Sequence, residues 1–307
     1  MHFADGQIPG DYARYVGRKA LLILALTLAT ACALALSLGL GAADLSLAAV
    51  LRTLAGAADS ERARFILWNI RLPQALASLA AGAGLALSGA AMQSILRNPL
   101  GSPFTLGISH AAAFGAALAV LFLGDGRLTA VTGGAVALSR PGVIVASAFL
   151  CSLSAALVVV ALARRRGSTP EVMILGGVAL GALFTAGTMF LQYFADDVQL
   201  AAMVFWTFGD TARADWTQVG VLAVAALFAL IYFTANAWNY NAVDAGDETA
   251  RSLGVRVGRV RLWGMLAATL VTAVIIAFLG VIGFVGLVTP HMVRRVIGSD
   301  HRFLLPA

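Results

Sequence analysis

Charge is in short supply in this chain. Only 12% of its 307 residues are Asp, Glu, Lys or Arg, about half the share of an ordinary soluble domain, so water is not the solvent for which most of the sequence is built. Lysine is almost gone: Lys19 stands alone, and it follows Arg18 rather than a glycine. That excludes a Gly-x-x-x-x-Gly-Lys-Ser/Thr phosphate loop, so any ATP that drives this protein binds to another chain. Acids are missing at membrane depth. All 15 lie in loops or at the ends of apolar runs. Ion-coupled transporters usually hold their ion on an ionisable group deep in the bilayer. The scarcity weighs against an ion-coupled secondary transporter, which stays open as the alternative because carbonyl oxygens can also hold sodium.

The chemistry-bearing residues are equally sparse. Cys32 and Cys151 sit inside apolar runs without metal-ligand spacing and read as small buried hydrophobes. Of the four histidines, His2, His110, His291 and His301, none pairs with another at helical spacing. His110 and His291 are the candidates for a haem or metal ligand, a weaker reading than none, and no metal site is expected. No serine, histidine and carboxylate share a membrane depth, which argues against an intramembrane hydrolase. No catalytic residues are assigned and the chain is not read as an enzyme.

What is present is apolar: 60% of the residues. The runs Ala20–Leu40, Leu72–Leu96, Phe104–Leu123, Gly142–Ala163, Val172–Ala195, Val219–Ala237 and Leu262–Pro290 are each long enough to cross a bilayer, given about 20 residues per spanning helix. The last is too long for one upright helix and is broken by glycines, giving about eight crossings in an all-α polytopic protein. The first run exceeds the h-region of a signal peptide and reads as a retained helix. The net charge of +6 and a pI near 10.0 invite a nucleic-acid partner. The positive-inside rule accounts for them better. With the N-terminus inside, about twice as many basic residues fall inside as outside, among them Arg164, Arg165, Arg256, Arg259, Arg261, Arg294 and Arg295. The expectation is one domain over 1–307, its N-terminus cytoplasmic, with the bilayer rather than nucleic acid as its surroundings.

Between the runs, the outer segment Gly41–Asn69 has room for a short surface helix, and Asp196–Trp216 reads as an outer loop with Trp206 and Trp216 suited to the membrane interface. Arg97-Asn98-Pro99-Leu100-Gly101-Ser102-Pro103 is a tight inner turn. Within the long inner loop Asn239–Arg261, Asp247–Gly254 reads as a short helix. Acids at its start favour the helix dipole, Gly254 suits its stop, and Ala250 and Leu253 give it an apolar face. A helix this short is unstable alone in water and docks on something. Small residues such as Gly82, Gly84, Gly89, Gly176, Gly177, Gly181, Gly280, Gly283 and Gly286 recur in the runs, where close backbone approach supplies helix packing in lipid.

Three segments then resemble a known family. The first is Arg71-Leu72-Pro73 through Gly82–Gln93 to Asn98-Pro99-Leu100-Gly101-Ser102-Pro103 and Gly107-Ile108-Ser109. The second is Asp247–Gly254. The third is Gly280-Val281-Ile282-Gly283-Phe284-Val285-Gly286-Leu287-Val288-Thr289-Pro290-His291, followed by Arg294, Gly298, Asp300-His301-Arg302 and Leu304-Leu305-Pro306. In order and spacing, over residues 65–307, these are similar to the FecCD-type permeases of iron-siderophore, haem and cobalamin importers. The resemblance implies a type II ABC importer permease, with ten spanning helices in two inverted halves, set in the cytoplasmic (inner) membrane. It implies a homodimer or a pair of related permeases, two cytoplasmic ATPase subunits that bind ATP-Mg, and an extracytoplasmic substrate-binding protein. No cofactor is expected on this chain itself.

The resemblance also assigns residues. Asp247, Glu248, Ala250, Arg251, Leu253 and Gly254 match the helix that couples to the ATPase. Arg71 falls where outer arginines dock the binding protein, with Arg62 and Arg64 as substitutes because Gln74 stands where a second arginine is common. Ser168 and Thr169 fall at the inner gate, and Met173 and Gln192 on the span that lines the pathway. Asn98, Pro99, Gly283, Gly286 and Pro290 carry the structural motifs. The match departs at Ala111-Ala112, where Gly-Ala is common, and at Gly209-Asp210, where Gly-Ser is usual. Family members also continue through about two more crossings beyond Pro306-Ala307, so the C-terminal part of the family fold is expected to be missing here.

Overall fold

The computed structural model describes residues 10–41, 46–58, 60–123, 128–131, 135–138, 141–165 and 169–307. The long uncharged runs become helices because in hydrocarbon a backbone must satisfy its own hydrogen bonds. Six helices among the described residues are long and apolar enough to cross a membrane. These are α1 (Gly10–Gly39), the continuous stretch Glu61–Ile95, α6 (Pro141–Arg165), α7 (Pro170–Tyr193), α9 (Trp216–Ala235) and α12 (Val257–Leu279). The stretch Glu61–Ile95 is α3 (Glu61–Ile66), a π-helical turn at Leu67–Arg71, and α4 (Leu72–Ile95), with Pro73 in the first turn of α4. A proline is tolerated there because the missing N–H has no partner to lose.

Two of the expected crossings are shorter than full spans. α5 (Ile108–Leu118) with its π-helical extension Ala119–Leu123 reaches about 24 Å, and α13 (Val285–Ile297) about 20 Å, against roughly 30 Å of hydrocarbon. The first loses length to the turn that ends at Gly107 (φ 76). The second begins late because the run Leu262–Pro290 breaks at Gly280 (φ 79) and again at Phe284 (φ 65). There the Val285 N–H returns to the Gly283 carbonyl at 2.8 Å, a γ-turn of the rarer positive-φ kind.

The helical class holds with one exception, a short antiparallel hairpin of β1 (Leu128–Val131) and β2 (Ala135–Leu138), in register Leu128↔Leu138. The outer segment carries two helices, α2 (Leu47–Leu54) and α3, each capped by a serine, Ser46 and Ser60. The stretch read as the loop Asp196–Trp216 contains α8 (Asp197–Thr207), and Trp206 is buried rather than at an interface.

α4 and α12 form the centre and are largely buried, whereas α1 lies almost entirely exposed at the periphery and α7 buries only one side. α4 packs on α9, α12 and α13, and α5 packs on α6 and α7. The α4–α13 crossing is close: a Cβ on Gly89 would lie 1.7 Å from the Gly286 carbonyl oxygen, so only glycine fits at 89. Contact this close is the means by which helices associate in lipid.

The connections sort to two ends. At one, Tyr12 of α1 meets Arg302, and Arg97 approaches Asp247. At the other, the end of α1 meets Arg71, Trp216 Nε1 donates to the Trp68 carbonyl at 2.9 Å, and the Asp210 N–H donates to the Leu279 carbonyl at 2.8 Å. The first is called the basic end below, since Arg14, Arg18, Lys19, Arg251, Arg256, Arg259, Arg294 and Arg295 gather there.

Candidate functional site

The basic end carries the short helix expected between α9 and α12. α10 (Ala237–Asp244) leads through Gly246 (φ 113) into α11 (Asp247–Ser252), and Gly254 (φ 83) stops it. Asp247 and Glu248 occupy the first turn, where their charge suits the helix dipole. The apolar face expected of Ala250 and Leu253 is split, which corrects that reading. Ala250 is fully buried and packs with Ala242, Val243 and Val257, facing its own chain. Leu253 is 68% exposed. Glu248 and Arg251 are exposed beside it.

A buried arginine fastens α11 from beneath. Arg261, in the first turns of α12, donates Nη1 and Nη2 to the two carboxylate oxygens of Asp247 at 2.9 and 2.8 Å, and Nε to the Ile95 carbonyl at 3.1 Å. Arg97 and Arg251 stand at 3.8 and 4.0 Å from the same carboxylate. The bidentate fork is the strong form of such a pair. The carbonyl it also holds belongs to the last turn of α4, which lacks helical partners.

A second cluster lies alongside. His301 Nε2 is 2.8 Å from Ser94 Oγ and 2.9 Å from Asp244 Oδ2, with Ser94 Oγ 3.2 Å from that oxygen. A serine, a histidine and a carboxylate therefore do meet, at the basic end, which corrects the expectation that no such set comes together. Serine and carboxylate contact the same ring nitrogen, and Nδ1 is buried without a hydrogen-bond partner. A relay needs one group on each nitrogen, so the cluster is a structural knot.

His301 opens α14 (His301–Leu304), and Asp300 caps it. Burial tends to raise the Asp300 pKa. Hydrogen bonds from the Arg302 and Asn241 side chains and the Arg302 amide, with the Arg302 charge, overcome this and hold it at about 2.

The remaining assigned residues scatter. Arg71 is buried, its Nη1 donating to the carbonyls of Leu38 and Gly39 at 2.6 and 2.9 Å. It caps the end of α1 and is removed from the outer surface on which docking was expected. Arg62 and Arg64 are exposed on α3, and Arg64 lines an open recess of about 480 Å³ with Glu61, Phe65, Trp68 and Asn69. Ser168 lies outside the described residues. Thr169 is the N-cap residue of α7. Met173 is buried in the central core rather than facing an open path, and Gln192 is half-buried near the far end of α7. Asn98 Oδ1 accepts the Leu100 N–H at 2.9 Å, building the turn with Pro99. Gly283 and Gly286 flank the γ-turn, and Pro290 is buried inside α13. Among the described residues no cluster of histidine, cysteine or carboxylate could hold a metal ion.

Sequence reasoning missed Arg261, Ser94 and Asp244. Their partners lie 14, 207 and 57 positions away, so no local pattern announces them. It also missed α8, although Asp196 and Gln199 form a capping box, a signal legible in sequence.

The architecture is that of a helical, multi-pass membrane protein with a short helix held against one end. The chain belongs to the FecCD transport family, whose profile matches residues 26–307. It is 56% identical over 241 residues to a protein of Methanocaldococcus jannaschii named as an ABC transporter permease, covering 78% of this chain and 68% of that one. It is 34% identical to the hemin transport system permease of Yersinia pestis (85% and 75% covered). It is 37% identical to the vitamin B12 import system permease of Salmonella typhi (80% and 72% covered). A solved inward-facing structure, described as a metal-chelate type ABC transporter, superposes with a TM-score of 0.77 at 29% identity over 94% of this chain and 84% of its own. These likenesses bear out the type II permease fold read from the three motifs.

Proposed function

We propose that this chain is the permease subunit of an ABC importer that carries an iron chelate, haem or a cobalamin-type cofactor across the cytoplasmic (inner) membrane. In this reading the basic end is cytoplasmic, as the positive-inside rule requires. Two partner ATPase subunits bind ATP-Mg below it, and the permease works as a homodimer or beside a related permease. The relatives support the cargo class: one is named for hemin, one for vitamin B12, and the structural neighbour for a metal chelate.

The observation that carries the reading is α11. Its inner side is buried through Ala250 and fastened by Arg261, while Leu253 projects 68% exposed into the space beyond the basic end. An apolar side chain presented from a rigid base is the form of a protein contact. At the opposite end, exposed Arg62 and Arg64, with the recess beside Phe65 and Trp68, are the surface on which an acidic binding protein docks; such charges set orientation and encounter rate more than affinity.

Replacing Leu253 tests this. Leu253→Asp leaves membrane insertion intact and abolishes co-purification with the partner ATPase. Normal co-purification, or uptake that runs on a salt or pH gradient and ignores nucleotide, overturns the reading in favour of ion coupling.

A further inference from the structure

The fork beneath α11 has a geometry that suits the transfer of force. We propose that Asp247, Arg261 and the Ile95 carbonyl form the joint through which α11 moves α4, making Arg261 and Asp247 positioning residues for coupling rather than part of the ATPase contact. The inference rests on the importer reading above, in which a partner pushes α11.

The load and the joint are on different sides of the helix. Leu253 faces outward, whereas the Arg261 side chain is only 4% exposed. Three donors of Arg261 are committed at once, two to Asp247 and one to Ile95. A planar guanidinium held at both edges cannot take up displacement by rotating, as an ammonium on a flexible stem can. The covalent route from α11 runs through Gly254, where the Val255 N–H returns to the Ala250 carbonyl at 2.9 Å, and leads to α12 alone; the side-chain joint is what adds α4 to the path.

The same turn of α4 is held twice. Ser94, the neighbour of Ile95, bonds Asp244 and His301, and Asp244 ends α10 just before the Ala245-Gly246 bend. Both sides of that bend are therefore tied to one turn of α4. α4 in turn carries α13. Gly89 lies against Gly286 with no room for a methyl group, Gln93 Nε2 donates to the Leu287 carbonyl at 3.1 Å, and Arg294 donates to Gln93 Oε1. Displacement of α11 reaches α4 and α13 as one body.

The test breaks the joint without leaving a buried charge. In Asp247→Ala/Arg261→Met both partners become apolar, which folded proteins tolerate far better than loss of one. Asp247→Asn, which keeps an acceptor but loses the charge, is measured beside it. Wild type and variants are co-expressed with the partner ATPase and binding protein and reconstituted in vesicles. Haemin, cyanocobalamin and a radiolabelled ferric siderophore serve as cargo. The double variant retains the ATPase and hydrolyses ATP within about twofold of wild type, while cargo carried per ATP falls about tenfold or more; Asp247→Asn lies between. Wild-type cargo per ATP in the double variant overturns the joint. So does loss of ATPase association, which makes the fork a docking support only. If the double variant aggregates, the same ratio in Asp247→Asn decides. Absence of ATP-driven uptake by the wild type removes the importer reading itself, and the joint with it.

Discussion

Arginines are held differently at the two ends of this molecule. At the end of α1 and α8, Arg71 and Arg213 donate to backbone carbonyls: Leu38 and Gly39 for the first, Phe205 and Phe208 for the second. These are orphan carbonyls of helix C-termini, where a cation offsets the dipole and supplies the missing donors. At the basic end, Arg261 and Arg302 meet carboxylates, Asp247 and Asp300, and Arg261 caps the Ile95 carbonyl as well, within a set of side chains drawn from α4, α10, α11, α12 and α14. Capping a carbonyl seals one helix end and fixes it. Pairing Arg261 with Asp247 joins α12 to α11, and the Asn241 amide on Asp300 joins α10 to the start of α14. The difference marks the opposite end as closed off and the basic end as linked, which is what an end that receives force requires.

The comparison is easiest to break at Asp247. Asp247→Ala alone leaves the Arg261 guanidinium buried without its carboxylate, at a cost of about 3–5 kcal/mol. Thermal unfolding of the purified chain in detergent reads this, and Arg261→Met added to it recovers most of the loss. A cost well below 1 kcal/mol means that the fork is no stronger than an ordinary surface pair. At the opposite end, Arg71→Leu removes two charge-assisted bonds and strands two carbonyls, costing about 3 kcal/mol. That loss is local: amide exchange at the last turn of α1 speeds up, while exchange in α11 stays as it was. Faster exchange at both ends contradicts the division drawn here.

How far the sequence foretells these ends follows from how local each feature is. α4 and α12 are legible as long runs without charge, and α11 from acids at its start and a glycine at its stop, because such signals act within a few residues. Which face a residue turns is not local. Arg71 reads as an outer docking residue until the end of α1, more than 30 positions earlier, is seen to lie against it. Ala250 and Leu253 read as one apolar face until α10 and α12 bury the first and leave the second open. Two of the eight expected crossings are short because positive-φ residues at 107, 280 and 284 divide apolar runs that hydropathy alone treats as continuous. The family resemblance located α11 and the motif glycines, but it carried no word of Arg261.

Acid separates the two ends most finely. The Asp300 pKa is lowered from 3.8 to about 2, and its side chain is 17% exposed. A depressed carboxylate contributes stability that is complete above its unfolded pKa and is lost as pH falls through the folded value. The contribution is therefore whole above about pH 5, fades below about pH 4 and is gone near pH 1; while whole, it is worth roughly 2 kcal/mol. Asp300→Asn should be less stable than wild type by about that amount at pH 7, and the gap should close on acidification. The Arg71 bonds involve carbonyls, which do not titrate, so the gap between wild type and Arg71→Leu should stay level over the same range. Parallel unfolding curves at steps between pH 7 and pH 2 give both differences from one experiment. An Asp300→Asn gap that persists at the acid limit, or an Arg71→Leu gap that closes with it, shows that both ends depend on the same chemistry.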